Sequence, residues 1–371
     1  MNTVRANWFN RLLLPGFAFK AVVIGGGYAT GRELAEFFLP SGPWGGLLGM
    51  LLATVCWSVI CAITFVYAHT MGLYDYGAFF RALLGPASFL FDAAYACLVL
   101  IMLSVFGAAA GAIGAALFGW PELAGTLGLI AGIALFAAFG NEAVERLFKY
   151  VTYFLYAVYV LFFVLSLVKT SGLLKAQFAL GQLTSGWAIG GLTYASYNVV
   201  GAVVILPVLR HLTSRRDAVV AGLVAGPLGM LPAVLFFVCM VAYYPAIGSA
   251  SLPSDIMLSR LDLPAFHALF QLMIVAALLE SGTGAVHAVN QRIAGVLTVR
   301  GRTMPPVIRL LVSATVLVGA IFVANRFGLV ALIARGYRLL AYLFLAVYVA
   351  PLIGIAVWTR GRFSNRATPA S

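Results

Sequence analysis

Charge is what this sequence has least of. Only 9% of its 371 residues are Asp, Glu, Lys or Arg, where a soluble domain carries roughly 25%. A water-soluble chain of this length needs far more polar surface to cover its core, which leaves a lipid bilayer as the solvent. Cysteine and histidine are also scarce, at four each. Cys56, Cys61, Cys97 and Cys239 all fall inside apolar runs with no CxxC spacing, so a disulfide framework or a clustered metal site has no support. These thiols read as small buried hydrophobes. There is no GxSxG, HExxH or P-loop, so covalent catalysis, zinc hydrolysis and ATP-driven pumping within the chain have no motif to rest on. The chain is read as a non-enzyme with no cofactor. A cleavable leader is also disfavoured, because the apolar Leu12–Ile24 run leads into glycines, Arg32 and Glu33 instead of a small-residue cleavage site.

What is abundant is apolar: 63% of the residues are hydrophobic. A helix needs about 20 mostly apolar residues to cross the hydrocarbon core. The segments that satisfy this are Leu12–Phe38, Gly45–Tyr67, Phe89–Ala116, Leu123–Phe139, Leu147–Val168, Trp187–Leu209, Ala218–Tyr243, Ala265–Val296, Val307–Ala324 and Tyr337–Trp358. The expected fold is therefore all-α and integral to the membrane, with about ten transmembrane helices in a single domain filling residues 1–371. Gly328–Ala334 is apolar enough for a short external helix. The long segment Tyr244–Pro264, with its prolines and aspartates, is expected to hold a short helix capping the outer vestibule.

The net charge of +12 raises the question of nucleic acid, and its placement answers it. With the N-terminus inside, sixteen Lys and Arg lie in or beside cytoplasmic segments and only Lys169, Lys175, Arg260 and Arg326 fall in outer loops. That is the positive-inside pattern, so nucleic acid is not an implied partner. The lipid bilayer and a small-molecule substrate are; nothing sets an oligomeric state. The expected location is a bacterial cytoplasmic membrane, multi-pass, with both termini cytoplasmic.

Ten spans divide as five plus five, and an odd number per half makes any repeat inverted. The halves would cover about residues 10–170 and 185–358. Span one carries Gly-Gly-Gly-Tyr-Ala-Thr at 25–30, and span six carries Gly-Gly-Leu-Thr-Tyr-Ala-Ser-Tyr-Asn at 190–198. Glycine disfavours helix, and backbone freed in a bilayer is tolerated only where it lines a cavity or meets a ligand. Paired broken helices in matching positions mark a transporter site near the midplane. Substrate contacts are accordingly expected from Gly25, Gly26, Gly27, Tyr28 and Thr30 on helix one and from Tyr194, Ser196, Tyr197 and Asn198 on helix six. The competing reading is that the glycines only let helices pack closely.

Charge inside a span is costly, at least ~2.5 kcal/mol on insertion scales. Arg32, Glu33 and Glu36 lie in the outer half of span one; the two acids share a helical face, and Arg32 and Glu36 are spaced to pair. A self-neutralised triad and a gate or ligand for a charged solute are both open. In span eight, Glu280, Gly284 and His287 fall on one face. Glu280 with Ser281 and Thr283 makes a hard oxygen environment suited to a small cation or a proton. His287 joins the gate or charge network only as a weaker member. Lys20 and Lys149 are expected to snorkel toward the cytoplasmic ends.

The stretch Gly25–Glu36, with the span-eight run Val289-Asn290-Gln291-Arg292-Ile293, resembles the YkvI-type bacterial membrane proteins of the amino acid–polyamine–organocation superfamily, which has the LeuT fold. The resemblance implies a five-plus-five inverted repeat with substrate between helices one, three, six and eight. It also implies a substrate carboxylate on the backbone of Gly25, Gly26 and Gly27. A sodium ion would lie between helices one and eight, on carbonyls near Val23 and Gly25 plus Ser281 and Thr283. The sequence departs from the sodium pattern in placing Glu280 there and in lacking adjacent Thr-Ser pairs, so the coupling ion is sodium or a proton. Proton-coupled relatives place a lysine on helix five, where Lys149 stands too near the helix end. The expected function is a sodium- or proton-coupled symporter of a small amino acid or related organic solute working by alternating access. The alternative is a solute-sensing receptor with a transporter fold and no net transport.

Overall fold

The computed structural model describes residues 7–24, 26–138, 141–181, 183–299 and 301–364. Among these there is no strand. After a π-helical turn at Phe9–Leu13 come α1 (Leu14–Val23), α2 (Gly26–Ala29), α3 (Arg32–Phe37), α4 (Gly42–Met71), α5 (Tyr76–Leu84), α6 (Phe89–Phe118), α7 (Glu122–Ala138) and α8 (Asn141–Ala179). The chain continues through α9 (Trp187–Asn198), α10 (Gly201–Val204), α11 (Arg215–Val241), α12 (Pro253–Leu261), α13 (Pro264–Val299), α14 (Pro306–Ala331), α15 (Tyr337–Phe344) and α16 (Ala350–Ser364).

Six helical runs among the described residues are long and apolar enough to cross a membrane: Arg32–Met71, Tyr76–Phe118, Phe154–Ala179, Arg215–Val241, Pro264–Thr298 and Pro306–Val357. A shorter apolar helix covers Glu122–Ala137. The chain is thus a multi-pass membrane protein. The six runs do not map one to one onto the expected spans, for local reasons. The first and sixth spans are cut into short helices, and Glu122–Ala137 is short. Pro306–Val357 turns at Gly328, whose φ of 71° and ψ of 169° leave the helical region. Gly328–Ala334 is therefore the bend into the last helical run and not a separate external helix.

Small residues set how closely the helices approach. α4 and α11 lie antiparallel: Gly222 sits against the backbone of Ala62, and Gly46 against the Phe237 ring. Side chains there would separate the helices. Some polar groups of this interior are bonded across helices. Thr64 and Tyr348 share a hydrogen bond of 2.6 Å, and the Trp57 indole donates to the Ala195 carbonyl at 3.1 Å.

The two ends of the bundle differ. One end is basic. There Arg11 makes a bidentate pair with Asp217 at 2.9–3.0 Å, and Arg292 makes another with Asp92 at 2.9–3.0 Å. The Asp217 carboxylate holds the Arg11 guanidinium above its ordinary value by this hydrogen bonding. The opposite end is closed largely by backbone. The Gln177 amide donates to the Tyr244 carbonyl at 3.0 Å and Lys169 to the Leu261 carbonyl at 2.8 Å. The expected capping helix is here: Tyr244–Pro264 forms a 3-10 turn at Ala246–Ser249 and then α12.

Candidate functional site

The first span is interrupted twice within eight residues. α1 ends where Ile24 takes φ −77°, ψ 77°, its N–H still bonded to the Lys20 carbonyl at 2.9 Å. α2 runs one turn, and the chain then reverses its twist at Gly31, whose φ is 77°. A side chain at Gly31 would face the Phe236 ring at 2.6 Å, so glycine is required both for conformation and for space. Gly25 lies outside the described residues. Gly26 and Gly27 open α2, which packs against α6 and α13.

At the second break, backbone groups find partners in the chain. The Thr30 carbonyl accepts from the Ser254 N–H at 3.0 Å, and the Thr30 hydroxyl accepts from the Arg32 N–H at 3.3 Å. Arg32 is buried, and its guanidinium donates to the carbonyls of Gly248 and Ala250, each at 2.8 Å, and to Glu36 at 2.7 Å. The spacing-based pairing of Arg32 with Glu36 is therefore present, and it is fastened to the loop that caps this end.

Glu33 points elsewhere. It is only 4% exposed, and its carboxylate accepts from the Tyr197 hydroxyl at 2.6 Å. Among the described residues no Lys, Arg or His forms an ion pair with it. The ring of Tyr197 lies 4.6 Å from that of Tyr337, tilted by 35°, and 5.6 Å from Tyr194 and 5.7 Å from Phe37. The ring of Tyr28 lies 6.4 Å from that of Tyr159 and 6.3 Å from that of Phe236. Burying an unpaired carboxylate is costly. Such a group is neutralised by a proton or by an incoming cation.

The structure thus gathers Glu33, Tyr194 and Tyr197 of the expected site into one buried cluster, while Tyr28, also buried, packs on Tyr159 and Phe236. It does not gather the rest. α9 runs unbroken through Gly190–Asn198, and the interruption of the sixth span falls afterwards, at Val199–Val200, before α10. The expectation of a break within 190–198 is corrected accordingly. Gly190 presses on the Phe37 carbonyl and Gly191 on the Gly49 carbonyl, so these glycines serve packing. Ser196 and Asn198 use their donors on their own helix, bonding the carbonyls of Leu192 at 2.6 Å and Tyr194 at 3.1 Å. Their hydroxyl and amide protons are engaged locally.

On α13, Thr283 is buried and its hydroxyl donates to the Leu279 carbonyl at 2.8 Å, while Glu280 and Ser281 are half-buried. Val23 ends α1 and is buried. The contact of α2 with α13 puts the first break and this acidic turn on neighbouring elements. His287 bonds Gln291 at 2.7 Å and has no bond to the Arg32–Glu36 pair. Gln291 in turn lines a cavity of about 550 Å³ at the basic end, together with Asp75, Tyr76, Arg81 and Arg292.

A second cavity, of about 210 Å³, lies between α1, α2, α8 and α11. Sequence reasoning missed it, and with it Lys20, Tyr159 and Phe236. The Lys20 ammonium sits 4.1 Å over the Tyr156 ring, at this cavity. One signal was present: Tyr156 and Tyr159 stand three apart, spaced to share a helical face.

No known protein-family model and no curated protein matches this chain. Its fold matches the crystal structure of a manganese transporter from Eremococcus coleocola bound to an aromatic bis-isothiourea compound. That match has a TM-score of 0.55 at 14% identity and covers 91% of this chain and 77% of that one. Two single-residue mutants of the same transporter match at TM-scores of 0.52, with the same identity and coverage. The shared property is the fold, and it is the fold of a membrane transporter.

Proposed function

We propose that this protein is a secondary active transporter, a sodium- or proton-coupled symporter that carries a small amino acid or related organic solute by alternating access. The observation that carries the reading is the twice-interrupted first span, closed around a buried, unpaired Glu33, in a bundle with a transporter's fold. Broken helices at membrane depth place backbone polarity and a charge where a solute is bound. In this reading the elements make ten passages. α1–α3 form the first, α9–α10 the sixth, and α14 and α15–α16 the last two. They divide into inverted halves at about 10–170 and 185–358. The basic end, with Arg11, Arg215, Arg216 and Arg292, is the cytoplasmic end of an inner-membrane protein.

The coupling site is proposed between the first break and α13, with Val23, Glu280, Ser281 and Thr283 as its residues. The solute faces Gly25, Gly26, Gly27, Tyr28, Thr30, Tyr194 and Tyr197. Manganese, the solute of the structural neighbour, is the competitor to test. The described residues hold no group of three or more His, Cys, Asp or Glu side chains arranged for a metal ion.

Proteoliposome uptake decides the matter. Labelled amino acids should accumulate when an inward sodium or proton gradient is imposed, and collapse of the gradient should stop them. Accumulation of manganese alone would replace the solute. Ligand binding with no accumulation under either gradient would replace the transporter by a receptor.

A further inference from the structure

The 210 Å³ cavity differs from the Glu33 cluster in both lining and charge. Its walls are aromatic and aliphatic, chiefly Ile24, Tyr156, Phe162, Phe163, Leu235 and Phe236. It reaches from Lys20 on α1 to Tyr28, just beyond the first break. At about 30 Å³ per water it has the volume of roughly seven waters, or of a solute on the order of ten heavy atoms.

Three polar groups meet this apolar space. The Lys20 ammonium stands over the rings of Tyr156 at 4.1 Å and Phe17 at 5.9 Å. Among the described residues no carboxylate pairs with it. The hydroxyls of Tyr28 and Tyr159 are buried, and neither meets a hydrogen-bond partner. Aromatic faces soften the burial of a cation but supply no counter-charge. Buried hydroxyls without partners are rare in folded proteins and call for an account.

One ligand chemistry answers all three groups. A carboxylate pairs with Lys20. The two phenols, which donate or accept, take up the remaining polar atoms, and an aromatic or branched hydrocarbon body fills the walls. We infer that this cavity is a binding site for an apolar carboxylate, with Lys20 as its counter-ion. Pockets for small ligands share this composition: mostly apolar walls with a few placed polar groups. The charge-bearing end decides against a neutral hydrocarbon, for which Lys20 would be an uncompensated cost. If the chain is the transporter proposed above, the inference places an aromatic or branched acid beside the first break, as a solute in transit or as an effector of the span that moves.

The carboxylate can come from water or from the bilayer, since Val160 and Leu231 on the cavity's flank are exposed. The test is equilibrium binding to the purified full chain in a neutral detergent, followed by calorimetry and thermal shift, with no gradient present. The probes are 3-phenylpropionate for a water-borne acid, dodecanoate for a bilayer-borne one, and 3-phenylpropionamide as the uncharged control.

At least one acid should bind and raise the unfolding temperature, and the amide should bind about tenfold or more weakly. Lys20→Met should weaken the acid by about tenfold or more while leaving the amide unchanged. Lys20→Arg should retain most of the acid's affinity, which guards against a variant that simply misfolds. Tyr159→Phe should cost less than Lys20→Met. Binding by 3-phenylpropionate identifies a water-borne ligand, and binding by dodecanoate alone identifies a lipid-derived one. Failure of both acids to bind, or acid and amide binding equally, would overturn the site. Because no gradient is involved, the outcome is independent of uptake. Acid binding through Lys20 without any transport would sink the proposed function and leave the site standing. Uptake with no such binding would do the reverse.

Discussion

The first and sixth spans carry nearly the same letters and use them in opposite ways. In the first, glycine at position 31 takes a conformation that other residues avoid, and the helix stops and restarts around it. In the sixth, Gly190 and Gly191 lie within a continuous helix and touch the carbonyls of Phe37 and Gly49. A missing side chain permits a break in one place and a close approach in the other. Which of the two occurs depends on the surface opposite the glycine.

That contrast can be broken experimentally. The largest effect should come from the packing glycines. Gly190→Leu places a side chain on backbone, which cannot rotate away, and should cost more than about 4 kcal/mol, enough to remove folded protein. Size-exclusion profiles of detergent extracts would show it as lost monodisperse material. Recovery of normal yield would mean that α3 and α9 are not held so close. Gly31→Ala should be next. It imposes roughly 1–2 kcal/mol for a left-handed residue and about 1–3 kcal/mol for pushing the Phe236 ring aside. A thermal midpoint unchanged from wild type would show that the turn is not fixed as described.

A smaller change is expected at the cluster the two spans share. Tyr197→Phe removes the hydroxyl that donates to Glu33 and should destabilise by about 1–3 kcal/mol. The double variant with Glu33→Gln should recover part of that loss, and a cycle with strictly additive effects would deny the contact. The smallest effect, and of opposite sign, belongs to Gly284, where an added Cβ would meet no other part of the protein within 4 Å. Gly284→Ala should be neutral or stabilising by up to about 1 kcal/mol, from helix propensity. A clear loss of stability there would reveal a partner on that face of α13.

Much of this architecture is legible in the residues themselves. The apolar runs announce a multi-pass membrane protein, and the i, i+4 spacing of Arg32 and Glu36 announces their pair. Prolines and aspartates in 244–264 announce a capped, turning segment. These are local facts, and local chemistry suffices for them. What resists reading is set across helices. Whether Gly190 breaks or packs depends on Phe37. Lys20 stands over the ring of Tyr156, on α8, a contact that nothing within α1 announces. Glu33 departs from the Arg32–Glu36 pair because Tyr197 reaches it from α9, 164 positions along the chain.

The grip of Arg32 on Gly248 and Ala250, with Thr30 holding Ser254, makes α3 and the 246–261 segment a single lever. In the proposed transport cycle, a lift of the loop with these bonds kept would carry the half-helix with it. That motion would be taken up at the two turns before α3, Ile24 with its non-helical ψ and Gly31 with its positive φ. A lid and a broken helix, usually treated as separate moving parts, would here share one stroke.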